Sequence, residues 1–235
     1  MSKHGKRYEA AVATLERDRL AGPEEALQRV KEMASAKFDE TVEVAIRLGV
    51  DARSGEQNVR GTVVLPHGTG KSPRVVAFAQ GEQAQAAQDA GADAVGGEDL
   101  VKKIEAGWKD FDMLVAARDM MRVVGRLGKR LGPRMPNPKA GTVGEDLGRI
   151  IRDLKGGQVQ FRMDRGGNLQ VPIGKASYSK EQLAENFGTL ILAVMRAKPA
   201  ASKGQYLRKI AVSSTMGPAV LVDQAQAQAF AETLV

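Results

Sequence analysis

The sequence predicts an α+β split domain, discontinuous because it is built from the N- and C-terminal segments, with an inserted α/β Rossmann-like domain between them. Alternating apolar and polar residues near both ends indicate half-buried strands, whereas the middle of the chain alternates short apolar runs with helical patterns. A chain of 235 residues is long enough for two modest domains, each with its own core. We predict the split domain at 1–67 and 159–223, the inserted domain at 68–158 and a flexible tail at 224–235.

The N-terminal segment is predicted to contain two helices and two strands. The second helix begins at Pro23, followed by two glutamates, which is a favourable combination for a first helical turn. The stretch "TVEVAIRLGV" places apolar residues at every second position from Val42 to Leu48, which predicts a half-buried strand. A further strand is predicted in "NVRGTVVLP", and it ends at Pro66.

The middle segment has a different pattern. It reads, in order, "RVVAFA", "EQAQAAQDA", "DAVGG", "EDLVKKIEAG", "DMLVAA" and "RDMMRVVGRLGKRLG". Short apolar strands that alternate with helices at this spacing are typical of parallel βαβ units with buried strands. We therefore expect a small Rossmann-like layer here.

The last third returns to alternating strands. The runs "QVQFRM" and "LQVPIG" are joined by the turn residues "DRGGN", which predicts a β-hairpin. Ser179 and Gln182 have the spacing of a capping box for a helix that stops before Pro199. Strands follow in "YLRKIAVSS" and "AVLVD", and the low-complexity "QAQAQAFAETLV" predicts a frayed helical or disordered tail.

Composition argues against several kinds of site. The chain has no cysteine, so it can form neither a disulfide framework nor a thiolate zinc site. Its two histidines, His4 and His67, are far apart, and we expect no metal site. No apolar run approaches the roughly twenty residues of a membrane span, and the basic N-terminus lacks the apolar core of a signal peptide. These features predict a soluble cytoplasmic protein with no membrane partner.

Positive charge is concentrated rather than spread evenly. The formal net charge is +7, and no acid occurs between Asp119 and Glu145 or between Asn186 and Val222. Basic clusters attract polyanions because each neutralised phosphate releases condensed counterions, so nucleic acid is the favoured partner over a merely solvated basic face. The first acid-free stretch forms a predicted secondary basic patch of Arg122, Arg126, Lys129, Arg130, Arg134 and Lys139.

Two segments resemble enzyme motifs, but each lacks a required glycine. The segment "HGTGKS" resembles a phosphate loop, but Leu65 stands where that motif requires its first glycine. A dinucleotide fingerprint starting at Gly68 fails because Pro73 takes the last glycine position. We therefore predict no catalytic residue and no cofactor. A nucleotide-dependent enzyme built on the inserted layer remains the alternative, and a protein-only scaffold is less favoured by the basic clusters.

Five segments occur in an order that points to one family. They read "SAKFDETVEV", "NVRGTVVLPHGTGK", "GPRMPNPKAGTV", "IGKASYS" and "SSTMGP". Together they resemble the bacterial L-one family of large-subunit ribosomal proteins, and the similarity runs from about His4 to Asp223. The family usually has two more residues between Arg134 and Met135, and the tail after Asp223 exceeds its usual end.

The resemblance implies that the split domain carries the main ribosomal RNA surface, assembled from both ends of the chain. The implied RNA-binding residues are Lys37, Phe38, Glu40, Thr41, Lys175, Ser177, Ser213, Thr215, Met216, Gly217 and Pro218. By residue type, Lys37 suits a phosphate, and the hydroxyls of Ser177 and Thr215 suit 2′-hydroxyls or base edges. The carboxylate of Glu40 could accept hydrogen bonds from a 2′-hydroxyl or a base amine.

Two apolar side chains and one glycine complete the expected surface. Phe38 suits packing on a base or ribose, and Met216 suits an irregular hollow. Gly217 lacks the side chain that would hold RNA away from the backbone. The alternative at this point is that Phe38 and Met216 belong to the core and that Lys37 is solvated.

The resemblance also implies the partners. They are the large-subunit ribosomal RNA stalk near the tRNA exit site, the exit-site tRNA whose release is assisted, and the messenger of the protein's own operon, whose translation is repressed. The protein is expected to work on the cytoplasmic ribosome and to be a monomer when free.

Overall fold

The computed structural model describes residues 5–16, 19–51 and 55–234, so His4 lies outside the described residues, as does the side chain of Lys139. The fold is mixed α/β with several sheets, which confirms the predicted mixture of helix and strand. In chain order the elements are α1 (Lys6–Ala13), α2 (Pro23–Met33), β1 (Thr41–Leu48), β2 (Arg60–Val64), β3 (Val75–Phe78), α3 (Glu82–Asp89), β4 (Ala94–Gly96), α4 (Glu98–Glu105), β5 (Met113–Ala117), α5 (Met121–Val124), α6 (Gly128–Leu131), β6 (Val143–Gly144), α7 (Leu147–Lys155), β7 (Gln158–Arg162), β8 (Asn168–Lys175), α8 (Lys180–Arg196), β9 (Leu207–Ser214), β10 (Val220–Val222) and α9 (Gln224–Glu232). Among the described helices, none has the length and apolar character that crossing a bilayer requires.

The chain divides into two compact units. The two-segment unit comprises Met1–Gly70 and Val159–Val235, and the middle unit comprises Lys71–Gln158. Each unit buries its own hydrophobic cluster.

The two-segment unit is built around β1. Its main sheet has the strand order β10-β9-β1-β8, and β1 is antiparallel to both of its neighbours. The alternation in β1 is confirmed, because Val42, Val44, Ile46 and Leu48 are all buried. Helices α2 and α8 contribute to the same core.

The predicted hairpin between "QVQFRM" and "LQVPIG" is wrong. The turn itself forms, since the Asp164 carboxylate accepts the backbone N–H groups of Gly166 and Asn168, each at 2.8 Å. After that turn the strands separate: β7 pairs with β2, while β8 pairs along most of β1. Pairing with β1 places the apolar face of β8 over the main core, a gain that a local hairpin would not provide.

Helix α8 begins as predicted, and the tail forms a helix, α9, which was one of the two predicted alternatives. The capping box between Ser179 and Gln182 is present in both directions. The expected flexible tail is instead helix α9, which is capped by Asp223 and packs on α8. Small residues explain the close packing, because Ala227 and Ala231 are buried and the α8 residue Gly188 leaves no room for a Cβ beside Leu234.

The middle unit has a parallel sheet of strand order β4-β3-β5-β6. Strand β3 is buried along its whole length, as the continuous apolar run predicts. The helix predicted in "RDMMRVVGRLGKRLG" is broken into short helices and 3-10 turns at its glycines, including Gly132 with φ +53°.

Candidate nucleic-acid interface

Three loops meet at one end of the main sheet. Thr41, at the start of β1, pairs with Lys175 at the end of β8, and its neighbour Val42 pairs with Ser214 at the end of β9. The loop before β1 is therefore flanked by the loops that follow β8 and β9. We call residues 35–41, 175–179 and 213–218 the three-loop surface.

Glu40 is buried beneath the three-loop surface and connects its first loop, 35–41, to its third, 213–218. Only 1% of this residue is exposed. Its Oε2 atom accepts hydrogen bonds from Ser214 Oγ at 2.8 Å and from the backbone N–H of Met216 at 2.9 Å. Its Oε1 atom accepts from the backbone N–H of Ala36 at 2.8 Å. Glu40 was expected to face RNA, and the structure instead gives its carboxylate an internal role.

The Glu40 carboxylate is stabilised in its ionised form. Burial alone would raise its pKa, but the hydrogen bonds from Met216, Ala36 and Ser214 together with the charge of Arg7 outweigh burial and lower the pKa below its ordinary value. The buried negative charge is thus stabilised by three hydrogen-bond donors and by the charge of Arg7. The two exposed loops are bound to one fixed anion.

Asp39 links the first loop to the second. Its carboxylate accepts from the Ser177 backbone N–H at 3.1 Å and from Ser177 Oγ at 2.8 Å. The backbone N–H of Ala176 donates to the Glu40 carbonyl oxygen at 2.8 Å. Sequence reasoning overlooked Asp39, although two adjacent acids in a segment expected to meet phosphate are a signal that at least one has a protein partner.

Thr215 links the third loop to the first. Its Oγ1 atom accepts from the Thr41 backbone N–H at 3.0 Å and donates to the Thr41 carbonyl oxygen at 3.3 Å. Lys175 Nζ donates to Thr41 Oγ1 at 3.0 Å and to the Asp39 carbonyl oxygen at 3.3 Å. The polar side chains assigned to RNA are therefore also the groups that set the shape of the surface.

The outer face of the surface is partly apolar. Phe38 is 55% exposed and Met216 is 52% exposed, so the alternative that either belongs to the core is wrong. Lys37 is exposed on the same loop as Phe38. Two large apolar side chains and a cation are therefore open to a partner on loops that meet at one end of the sheet.

Gly217 and Pro218 follow Met216 in the third loop and are less exposed than it is. Pro218 is buried. A Cβ on Gly217 would lie 2.5 Å from Ser214 Oγ, the hydroxyl that donates to Glu40. The glycine was expected to admit RNA to the backbone, and its observed environment shows that it makes room for an internal hydrogen bond. Ser213 is half-buried on β9.

The "HGTGKS" segment is held by a buried asparagine. Asn186, which is fully buried on α8, accepts from the His67 backbone N–H at 3.1 Å and donates to the carbonyl oxygens of Gly68 and Ile173. His67 Nε2 lies 2.6 Å from Glu185 Oε2. Within the described ranges, no group of three or more His, Cys, Asp or Glu residues is placed to hold a metal ion. Sequence reasoning did not single out Asn186.

The basic patch lies in the middle unit. Arg122, Arg126 and Lys129 are exposed. Arg130 donates to the Glu105 carbonyl oxygen, and Arg134 donates to the Phe111 carbonyl oxygen at 3.0 Å. Hydrogen bonds to neutral carbonyls orient these guanidinium groups and leave their charge in place.

Comparison with known proteins gives a consistent result. Residues 30–218 match the sequence model of the Ribosomal protein L1p/L10e family. The chain is also 56% identical over 228 residues to a protein of Cutibacterium acnes (strain DSM 16379 / KPA171202) named large ribosomal subunit protein uL1. That alignment covers 96% of this chain and 98% of the relative.

Proposed function

The chain belongs to the Ribosomal protein L1p/L10e family, and from this premise we propose that its three-loop surface binds the folded RNA stalk of the large ribosomal subunit near the tRNA exit site. Membership makes the chain an RNA-binding ribosomal protein of the large subunit and not an enzyme. The alternative of a nucleotide-dependent enzyme is accordingly dropped.

The observation that carries the proposal is the exposure of Phe38 and Met216 above an internal hydrogen-bond network. Folded RNA is recognised largely through shape, ribose hydroxyls and unstacked bases, which suit apolar side chains flanked by a cation such as Lys37. The network around Glu40 fixes the loops before RNA arrives. A pre-organised surface loses little conformational entropy on binding.

We assign different roles to the two units. The two-segment unit is the split RNA-binding domain, and the middle unit is a Rossmann-like domain inserted into it. Through its basic patch, the middle unit makes a secondary contact with exit-site tRNA and assists the release of deacylated tRNA. The patch provides the exposed cations Arg122, Arg126 and Lys129 for phosphate contacts.

A second RNA is proposed for the same three-loop surface. The free monomeric protein represses its own operon by binding a messenger segment that presents the same shape as the ribosomal stalk. Shape-based recognition allows this, because two RNAs of different sequence can display the same backbone and base arrangement.

The test is the affinity of the full chain for a stalk RNA fragment. Phe38→Ala should raise the Kd by about 5- to 150-fold, since base–aromatic contacts contribute roughly 1–3 kcal/mol. Val64→Ala is the matched control, because Val64 is also exposed, at 47%, but lies on β2 in a different sheet. Equal affinities of the Phe38→Ala and Val64→Ala proteins, both folded by thermal melting, would overturn the assignment. The operon messenger should compete with stalk RNA for the wild-type protein.

A further inference from the structure

The middle unit contains a hollow of about 550 Å³ beside the end of α4. Its floor is apolar, formed by the buried side chains of Ile104, Phe111 and Leu131. The volume falls in the range of about 300–1,000 Å³ that is usual for small-molecule sites. An apolar floor of this size is suited to a flat ring system.

An aromatic pair forms one side of the hollow. Trp108 and Phe111 have ring centroids 5.6 Å apart with planes tilted by 59°. Phe111 is buried beneath, whereas Trp108 is only half-buried and lines the opening. A tryptophan fixed by a buried aromatic neighbour offers a rigid surface on which a base can stack.

Cations surround the same opening. Lys109, Arg130 and Arg134 line the hollow, and among the described residues no aspartate or glutamate does. The guanidinium carbon of Arg134 lies 5.7 Å from the Phe111 ring centroid, and Arg130 and Arg134 are oriented by bonds to backbone carbonyls. The opening therefore carries positive charge next to an aromatic ring.

Two acids that follow Lys109 in the chain have a cationic partner outside the hollow. Asp110 and Asp112 both pair with Arg74, which precedes β3. These ion pairs hold the two carboxylates on Arg74. The charge of Arg134 also lowers the pKa of Asp112, but neither acid lines the hollow, whose charged lining residues are Lys109, Arg130 and Arg134.

We propose that this hollow binds a single unpaired nucleotide of RNA, with the base stacked on Trp108 and the phosphate held by Arg130 and Arg134. The inference deepens the proposed function of the middle unit and rests on it, because it names the contact through which part of the basic patch holds RNA. A stacking aromatic beside phosphate-binding cations is the combination that single-stranded RNA requires.

The fluorescence of Trp108 provides a direct test, because it is the only tryptophan in the chain. The full-length protein is titrated at low salt with a uridine hexanucleotide and, separately, with uridine 5′-monophosphate at equal nucleotide concentration. We expect saturable quenching by the hexanucleotide at much lower concentration than by the monophosphate, because only the hexanucleotide presents a further phosphate to Lys109. Equal quenching by the monophosphate would replace RNA with a free nucleotide as the ligand, and absence of quenching by both would overturn the site.

Variants separate this site from general attraction to a basic protein. Arg134→Gln and Lys109→Gln should each weaken hexanucleotide binding, Arg134→Gln by about tenfold. Arg149→Gln is the matched control, because its side chain is 77% exposed on α7 and does not line the hollow. Lys109 lies on the exposed rim, so its substitution tests the site even if Arg134→Gln disturbs folding. The proposal would be overturned if Arg149→Gln weakened hexanucleotide binding as much as Arg134→Gln and Lys109→Gln do.

The outcome is distinguishable from failure of the proposed function. The stalk RNA test uses Phe38→Ala in the two-segment unit, whereas quenching reports Trp108 in the middle unit. Intact, Phe38-dependent stalk binding without any Trp108 response would discard the hollow and leave the three-loop surface in place.

Discussion

Ser214 Oγ donates a hydrogen bond of 2.8 Å to Glu40 Oε2, which joins two residues 174 positions apart in the chain. The same carboxylate oxygen accepts the backbone N–H of Met216, whose side chain is exposed. One buried anion therefore sets the position of an apolar side chain at the surface. In this family member, the stability of the fold and the shape of the proposed RNA-binding face depend on the same group.

Glu40→Gln should destabilise the protein. A glutamine has one carbonyl oxygen in place of two carboxylate oxygens, so its amide nitrogen must face the N–H of Ala36 or the donors from Ser214 and Met216. We expect the free energy of unfolding in urea to fall by about 1–3 kcal/mol. Glu43→Gln, at an exposed position on β1, is the control and should change it by less than about 0.5 kcal/mol. Similar losses for both variants would contradict the role assigned to Glu40.

The contribution of Glu40 should depend on pH in a defined direction. Because its pKa is lowered in the folded protein, its stabilisation is fully present above the carboxyl pKa of the unfolded chain and is lost as the pH falls through the folded-state pKa. The difference in free energy of unfolding between wild type and Glu40→Gln should therefore be largest near neutral pH and shrink as the pH falls through the lowered folded-state pKa of Glu40. Urea denaturation at several pH values measures it. A constant difference would show that ionisation of Glu40 contributes nothing.

The sequence predicts those features that depend on neighbouring residues. The alternation from Val42 to Leu48 and the capping box of Ser179 and Gln182 are encoded within a few positions, and both are confirmed. The turn at Asp164 was also predicted from its residue types. The pairing of the strands on either side of it was not, because β7 and β8 each pair with a strand distant in the chain, where more apolar surface is buried.

The chemistry inside the site was much less predictable. The residue types around Glu40 suggest polar contacts, yet whether those contacts go to RNA or to protein depends on strand register across the sheet. Asp39 and Asn186 acquire their roles only when segments more than 100 residues apart meet. A helix in the tail was one of two predicted alternatives, but its packing was not predicted, because the low-complexity composition does not single out Ala227 and Ala231 as the buried positions.

Thr215→Ala should affect both stability and RNA binding. The Thr215 hydroxyl both accepts from and donates to the backbone of Thr41, so we expect a loss of about 0.5–1.5 kcal/mol in the free energy of unfolding. Stalk RNA affinity should fall by about five- to tenfold as the third loop loosens. Thr215→Ser keeps the hydroxyl and should retain most of both properties. Equal behaviour of the serine and alanine variants in melting and titration would rule out the hydroxyl as the cause.

The salt dependence of binding should identify Lys37 as a phosphate contact. Affinity for stalk RNA should fall steeply as salt rises, and Lys37→Gln should reduce the slope of log Kd against log salt by about 0.7–0.9. Lys209→Gln is the control. Lys209 is exposed, and it lies on β9 opposite Arg47, toward the other end of β1. A flat salt response of the wild type, or equal slope changes for the two variants, would contradict phosphate binding by Lys37.

Gly217 and Ser214 should be energetically coupled. A Cβ on Gly217 would lie 2.5 Å from Ser214 Oγ but 3.7 Å from Ser214 Cβ, so the hydroxyl alone makes the clash. Gly217→Ala should cost about 1–3 kcal/mol in the free energy of unfolding, as overpacking usually does. Ser214→Ala should also destabilise, because Glu40 loses a donor. In the double variant the added methyl group no longer meets a hydroxyl. Each single variant disturbs the hydrogen bond between Ser214 and Glu40, but the double variant can lose that bond only once. The combined loss in the free energy of unfolding should therefore be smaller than the sum of the two single losses by at least about 0.5 kcal/mol. Urea denaturation of the four proteins measures this difference. Additive losses would mean that Gly217 is required for some reason other than the Ser214 hydroxyl, such as direct approach of RNA to the backbone.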